Sequence, residues 1–211
     1  FKRFTNLTSL NLNGFRNNLN LNKLLYEMSR FPLQQLTSLN ITYQLTFPAN
    51  GLRAFSQKIT TLTSLTCSNI SSHELNPSDL FLIAECFPLL EELNLSCSSG
   101  CKNYTSYVDG VEALSLALIK LRKVNLSRFP INNQSLFHLL NNCRYLEEVI
   151  MLWCDEITSL GLVSALRDKP TLRSLSFSFV NHHEMFRTSQ LIDSLGRSSF
   201  DEICPQTLHW P

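Results

Sequence analysis

The chain has 211 residues, 44% of them hydrophobic and 17% charged, with a formal net charge of +1. That apolar content suffices for a packed core, while near-neutrality argues against a nucleic-acid or membrane-surface binder that works through bulk charge. The six glycines do not form a phosphate-cradling loop, and no apolar run approaches the roughly 18 residues needed to cross a membrane.

In chain order, the predicted elements repeat one unit. Leu7, Leu10 and Leu12 form a Leu-x-x-Leu-x-Leu hexamer, followed by a helical pattern over 22–30. The second hexamer is Leu36, Leu39, Ile41 and the third is Leu62, Leu65, Cys67. A helix over 78–86 follows, opened by Asn76, Pro77 and Asp79, with the proline and acid that favour a helix start. Then come Leu90, Leu93, Leu95 with a helix over 111–120, where Asp109 takes the same opening role. Leu121, Val124, Leu126 precede a helix over 135–142, and Leu146, Val149, Met151 precede one over 159–168. Leu172, Leu175, Phe177 complete the series, with a last helical pattern over 189–195. Successive first leucines lie 29, 26, 28, 31, 25 and 26 residues apart. That is the period of a leucine-rich repeat, one short strand and one helix or turn per unit. The expected fold is an α/β solenoid of about seven repeats, with a curved parallel sheet on the concave side and helices on the convex side. Residues 1–196 form this domain and 197–211 an irregular tail or a truncated repeat. The series starts without a polar capping repeat, which suggests a piece of a longer protein.

Strand alternation sorts inside from outside. In the first three units the outward residues are short and uncharged: Ser9, Asn11, Asn13, Ser38, Asn40, Thr42, Ser64, Thr66 and Ser68. From the fourth unit they gain charge and bulk, as Glu92, Lys123, Glu148, Ile150 and Leu152. Arg128 with Phe129, Trp153 and Phe179 stand at the strand exits. Trp153 and Phe179 either roof the core or project outward beside the arginine, a pairing typical of binding hot spots. The candidate protein-binding set is therefore Glu92, Lys123, Arg128, Glu148, Ile150, Leu152, Trp153 and Phe179. Outward residues such as Asn94 are expected to tolerate alanine.

Seven cysteines, an odd number falling mostly at repeat positions, point to buried free thiols and a cytosolic or nuclear setting. Cys97 and Cys101 lack the further ligands that a zinc site needs, as do His182, His183 and Glu184. No cofactor is expected. The adjacent pairs Glu91-Glu92 and Glu147-Glu148 face opposite sides of a strand, and no nucleophile elbow occurs, so catalysis is not expected.

The sixth unit has Cys143 before its strand, Cys154 three residues after Met151, then Ile157 and Thr158 opening the helix. This resembles the cysteine-containing leucine-rich repeat of F-box proteins. The fourth unit matches with Cys86 and with Cys97 one place early, whereas the fifth has Arg128 and Phe129 where that cysteine would fall. The loose consensus and irregular unit lengths are most similar to plant F-box/leucine-rich-repeat proteins. The resemblance implies the client-holding repeats of a cullin-type ubiquitin ligase, with a protein substrate on the concave face and neither nucleic acid nor membrane as partner. The ligase adaptor would be bound through an F-box, and no segment of this chain resembles one. Some plant relatives hold a hormone and an inositol phosphate with clustered basic residues. Here Lys123, Arg122, Arg128 and Arg173 are interleaved with Glu92 and Glu148, too mixed a set for a polyphosphate. The alternative reading is the ligand-binding repeats of an intracellular immune receptor or inhibitor. Seven Asn-x-Ser/Thr sequons would suit an extracellular receptor, but Asn40, Asn94 and Asn125 fall on the concave strands, where glycans would block binding.

Overall fold

The computed structural model describes residues 6–14, 20–70, 75–98, 107–167, 169 and 171–178, and the backbone of 202–205. Eight parallel strands form one sheet in chain order: β1 (Ser9–Asn11), β2 (Ser38–Asn40), β3 (Ser64–Thr66), β4 (Glu92–Asn94), β5 (Lys123–Asn125), β6 (Glu148–Met151), β7 (Ser174–Phe177) and β8 (Glu202–Pro205). Among the described residues, six helices alternate with them: α1 (Leu21–Met28), α2 (Ala49–Ser56), α3 (Pro77–Cys86), α4 (Val108–Ala117), α5 (Asn133–Asn142) and α6 (Ser159–Leu166). Strands paired in chain order, with a helix behind each of the first six repeats, make a leucine-rich-repeat solenoid, as the hexamer spacing predicts.

The register follows the hexamers: Leu39, Leu65, Leu93, Val124, Val149 and Leu175 stand in one row across the sheet. All six are at most 3% exposed, and they belong to a single apolar core shared with the inward faces of the helices. β8 continues the sheet beyond the seventh hexamer, Ser174 facing Glu202, within the stretch read as a tail or truncated repeat. The helix expected over 189–195 lies outside the described residues.

α2 has no counterpart among the predicted helices. It starts after Pro48 with no side-chain cap bond and carries a glycine at its third position. Leu52 and Phe55, both fully buried, hold it to the core instead. Gly51 lets it approach α1: a Cβ there would lie 2.7 Å from the Asn22 Cα. The Gly51 N–H also donates to Asn22 Oδ1 at 2.7 Å. The opening of α3 is a capping box as its sequence suggests, Asn76 Oδ1 accepting from the Ser78 N–H while Asp79 accepts from the Asn76 N–H. α4 departs from expectation. It begins at Val108, so Asp109 sits within the first turn and no side chain caps it.

Candidate functional site

The concave rows are set by strand register alone. Glu92, Lys123 and Glu148 align across β4, β5 and β6. The Lys123 ammonium lies 3.9 Å from Glu92 and 3.6 Å from Glu148, and about half of its side chain is exposed. Ser64 Oγ donates to Glu92 at 3.2 Å. Just ahead of β5 and β6, Arg122 donates to Glu147 at 2.6 Å. The hydrogen bond and charge of Glu147 raise the guanidinium pKa further.

The next row along the strands is Asn11, Asn40, Thr66, Asn94, Asn125, Ile150 and Ser176. Its asparagines have a local task. Asn94 Oδ1 accepts from the Ser96 N–H at 3.0 Å and from Ser96 Oγ at 2.7 Å. Asn11, Asn40 and Asn125 accept from the N–H two residues on in the same way. Each such turn fixes the strand exit, so these residues are not the indifferent outward positions that alternation suggests. With Oδ1 engaged, the amide NH2 donors remain for a partner. Between β3 and β6, Ser64, Thr66, Asn94, Asn125 and Ile150 join the charged row around a shallow cavity of about 240 Å³.

At the strand exits the chain turns left-handed in repeat after repeat. Gly14, Tyr43, Asn69, Arg128 and Trp153 occupy the same place in their units, with φ between 54° and 74°. Their N–H groups extend the ladder: Tyr43 donates to the Ser68 carbonyl, Asn69 to Ser96 and Arg128 to Leu152, while Trp153 donates to Ser178 Oγ. A left-handed turn is costly for any residue but glycine or asparagine, and the added ladder bonds offset it. The geometry also resolves the two readings of Trp153. Its side chain is half-buried and neither roofs the core nor stands free, because the Arg128 guanidinium lies 5.0 Å over its ring. Arg128 also donates to the Ser98 carbonyl at 2.5 Å. Phe129, in contrast, leaves the exit cluster for the core, 1% exposed and edge-on to Tyr107 at 4.9 Å. Phe179 lies outside the described residues.

Seven of the eight candidate residues therefore fall on two neighbouring patches. Glu92, Lys123, Glu148 and Ile150 line the cavity; Leu152 and the stacked Arg128 and Trp153 stand together at the exits of β5 and β6, where the Arg128 N–H donates to the Leu152 carbonyl. Sequence reasoning missed the polar floor of Asn94 and Asn125 and the left-handed exits. Gly14 and Asn69, at the exits of the first and third units, were the available signs of the latter.

Cysteines serve the packing. Cys67, Cys97, Cys143 and Cys154 are buried free thiols, and Cys86 is half-buried. Cys143 Sγ lies 3.7 Å from the Ser115 carbonyl and 3.8 Å from that of Leu118, and Cys154 donates to the Leu126 carbonyl at 3.2 Å. Both thiols reach carbonyls of the preceding repeat, and those of Leu118 and Leu126 also accept from the Leu121 and Phe129 N–H groups. Burial pushes each up to about 12. Burial and the nearby Asp79 push Cys67 higher still. Cys97 falls at the exit position itself, one place ahead of where Cys154 sits, and its φ is not positive. Cys101 and the His182-His183-Glu184 cluster lie outside the described residues. Among the described residues, no helix is long and apolar enough to cross a membrane.

No family model matches the chain. Among solved structures it is similar to the tropomodulin C-terminal domain of Caenorhabditis elegans, with 16% identity and a TM-score of 0.46. That likeness covers 70% of this chain and 90% of the other.

Proposed function

We propose that the chain is a protein-recognition module whose concave face over β4 to β6 holds the partner. The observation that carries this reading is the change along one continuous surface. Small polar residues give way to Glu92, Lys123, Glu148 and Ile150, which line a shallow cavity, and to Leu152, Arg128 and Trp153 at the strand exits beyond it. An arginine and a tryptophan beside partly exposed aliphatics are the types enriched at an interface centre, and charges such as Glu92, Lys123 and Glu148 suit its polar rim.

More finely, the module presents clients of a cullin-type ubiquitin ligase as the repeats of an F-box subunit. The support is the cysteine pattern of the fourth and sixth repeats, with Cys143 and Cys154 each bonded to carbonyls of the preceding repeat. The ligase adaptor would then bind outside this chain, and the protein would work in the cytosol or nucleus.

The experiment is affinity purification of the natural full-length protein from its own cells. Three forms are compared: the parent, an Ile150→Asp, Leu152→Asp double variant, and a Ser38→Asp, Asn40→Asp control. The expected result is co-purification of a cullin adaptor with all three, and loss of one client with the first double variant only. Loss of the client with the control alone would move the site to the early repeats. Client capture with no cullin component would refute the ligase role and leave the recognition role standing.

A further inference from the structure

Three features of the concave face together specify the chemistry of its partner. The first is the charge row. Glu92 and Glu148 flank a single ammonium at 3.9 and 3.6 Å, longer than a direct hydrogen bond, so both carboxylates keep free lone pairs. Neighbouring strands are about 4.8 Å apart, so an anion placed about 4 Å above Lys123 would stand about 6 Å from both carboxylates. The two repulsions then outweigh the one attraction. A cation over either glutamate meets the reverse balance, with the attractive carboxylate nearest.

The second feature is the floor beside this row. The Oδ1 atoms of Asn94 and Asn125 are engaged within the chain, which leaves amide donors suited to backbone carbonyls. The third is Ile150, which stands two residues beyond Glu148 on the same face of β6 and lines the same cavity. Alternate residues of a strand are about 6.6 Å apart, as they are in any extended peptide.

We infer that the partner inserts an extended segment carrying a lysine or arginine with an apolar side chain two positions away. The basic group lies over Glu148, with Glu92 adding a weaker attraction from two strands away, the apolar one rests on Ile150, and intervening carbonyls accept from Asn94 and Asn125. The inference rests on the concave-face reading above and supplies the substrate class of that site. A phosphorylated or acidic segment is the occupant that the charge row disfavours.

The test uses the full chain, immobilised, with a phage-displayed library of random dodecapeptides. Selected peptides are synthesised and their affinities measured against the parent, Glu92→Gln/Glu148→Gln, Ile150→Asp/Leu152→Asp and Ser38→Asp/Asn40→Asp. The expected outcome is enrichment of a basic residue two positions from an aliphatic or aromatic one. Neutralising both glutamates should then weaken binding about tenfold or more, and raised salt should do likewise. Peptides lost with the Ile150/Leu152 variant but indifferent to the glutamate variant would overturn the basic specificity and keep the site. Peptides lost only with the Ser38/Asn40 variant would overturn the site itself. Acidic enrichment, or no enrichment, would overturn the inference.

Discussion

Replacing Gly51 by alanine sets local preference against packing. In the interior of a helix, alanine is favoured over glycine by about 1 kcal/mol, so α2 taken alone should gain. In the solenoid the new methyl would stand 2.7 Å from the Asn22 Cα, 2.9 Å from the Asn22 carbonyl oxygen and 3.1 Å from Leu25 Cβ. The first two are backbone atoms of α1 and cannot rotate aside, so the two helices must separate. Separation lengthens the 2.7 Å bond from the Gly51 N–H to Asn22. Overpacking costs about 1–3 kcal/mol in general, and against backbone atoms that cannot give way the upper part of that range, about 2–3 kcal/mol, applies and exceeds the propensity gain. The net expectation is destabilisation by about 1–2 kcal/mol, or about 3–6 °C in Tm for a chain of this size. Gly110→Ala provides the contrast. Its nearest neighbour is a side-chain end, Leu80 Cδ1 at 2.9 Å, and its nearest backbone atom, the Pro77 carbonyl oxygen, is 3.2 Å away, so the clash is milder. Thermal and urea unfolding of both variants should rank Gly51→Ala as clearly the more harmful. A Gly51→Ala protein as stable as the parent, or less affected than Gly110→Ala, would refute the close approach of α1 and α2.

Asn94→Ala should cost about 1 kcal/mol by removing the acceptor for Ser96, whereas Asn94→Asp, which keeps the acceptor, should lie near the parent in urea midpoint. The stack of Arg128 on Trp153 should give a coupling of about 0.5–1 kcal/mol in a double-mutant cycle with alanine at each position, and a coupling near zero would dismiss it. For Cys143 and Cys154 the folded pKa of about 12 exceeds the ordinary value of 9.0. Their contribution is therefore complete below about pH 9 and lost as pH rises toward 12, because the unfolded chain releases these protons first. Urea titrations across that window should show a shallower alkaline loss in a Cys143→Ala, Cys154→Ala variant than in the parent, and equal slopes would speak against the shift.

The sheet was legible in the sequence because its information is local and repeated. Leu90, Leu93 and Leu95 repeat in the next unit as Leu121, Val124 and Leu126, and that equivalence alone predicts the pairing of β4 with β5. The charged row came with it, since Glu92, Lys123 and Glu148 share one place in their hexamers. Features that depend on one repeat touching the next were not legible. α2 lacks a capping side chain and contains a glycine, so its helical character comes from burying Leu52 and Phe55 rather than from its own preferences. The left-handed exits at Tyr43, Arg128 and Trp153 go against residue preference and are secured by ladder bonds to the following unit. The separate fates of Arg128 and Phe129, rim and core, follow from that same turn, which sequence alternation does not contain.

The direction of the sheet's hydrogen bonds has a mechanical consequence. Every strand bonds to the next repeat, so the bonds point along the solenoid rather than across it. A pull applied between the two ends loads them in tension, a few at a time, as in peeling tape, instead of shearing a whole strand at once. Each yield frees one unit of 25–31 residues, or roughly 80–110 Å of slack chain. Under load such a molecule gives way in short steps of nearly equal length, each of which uncovers the core face of the next unit.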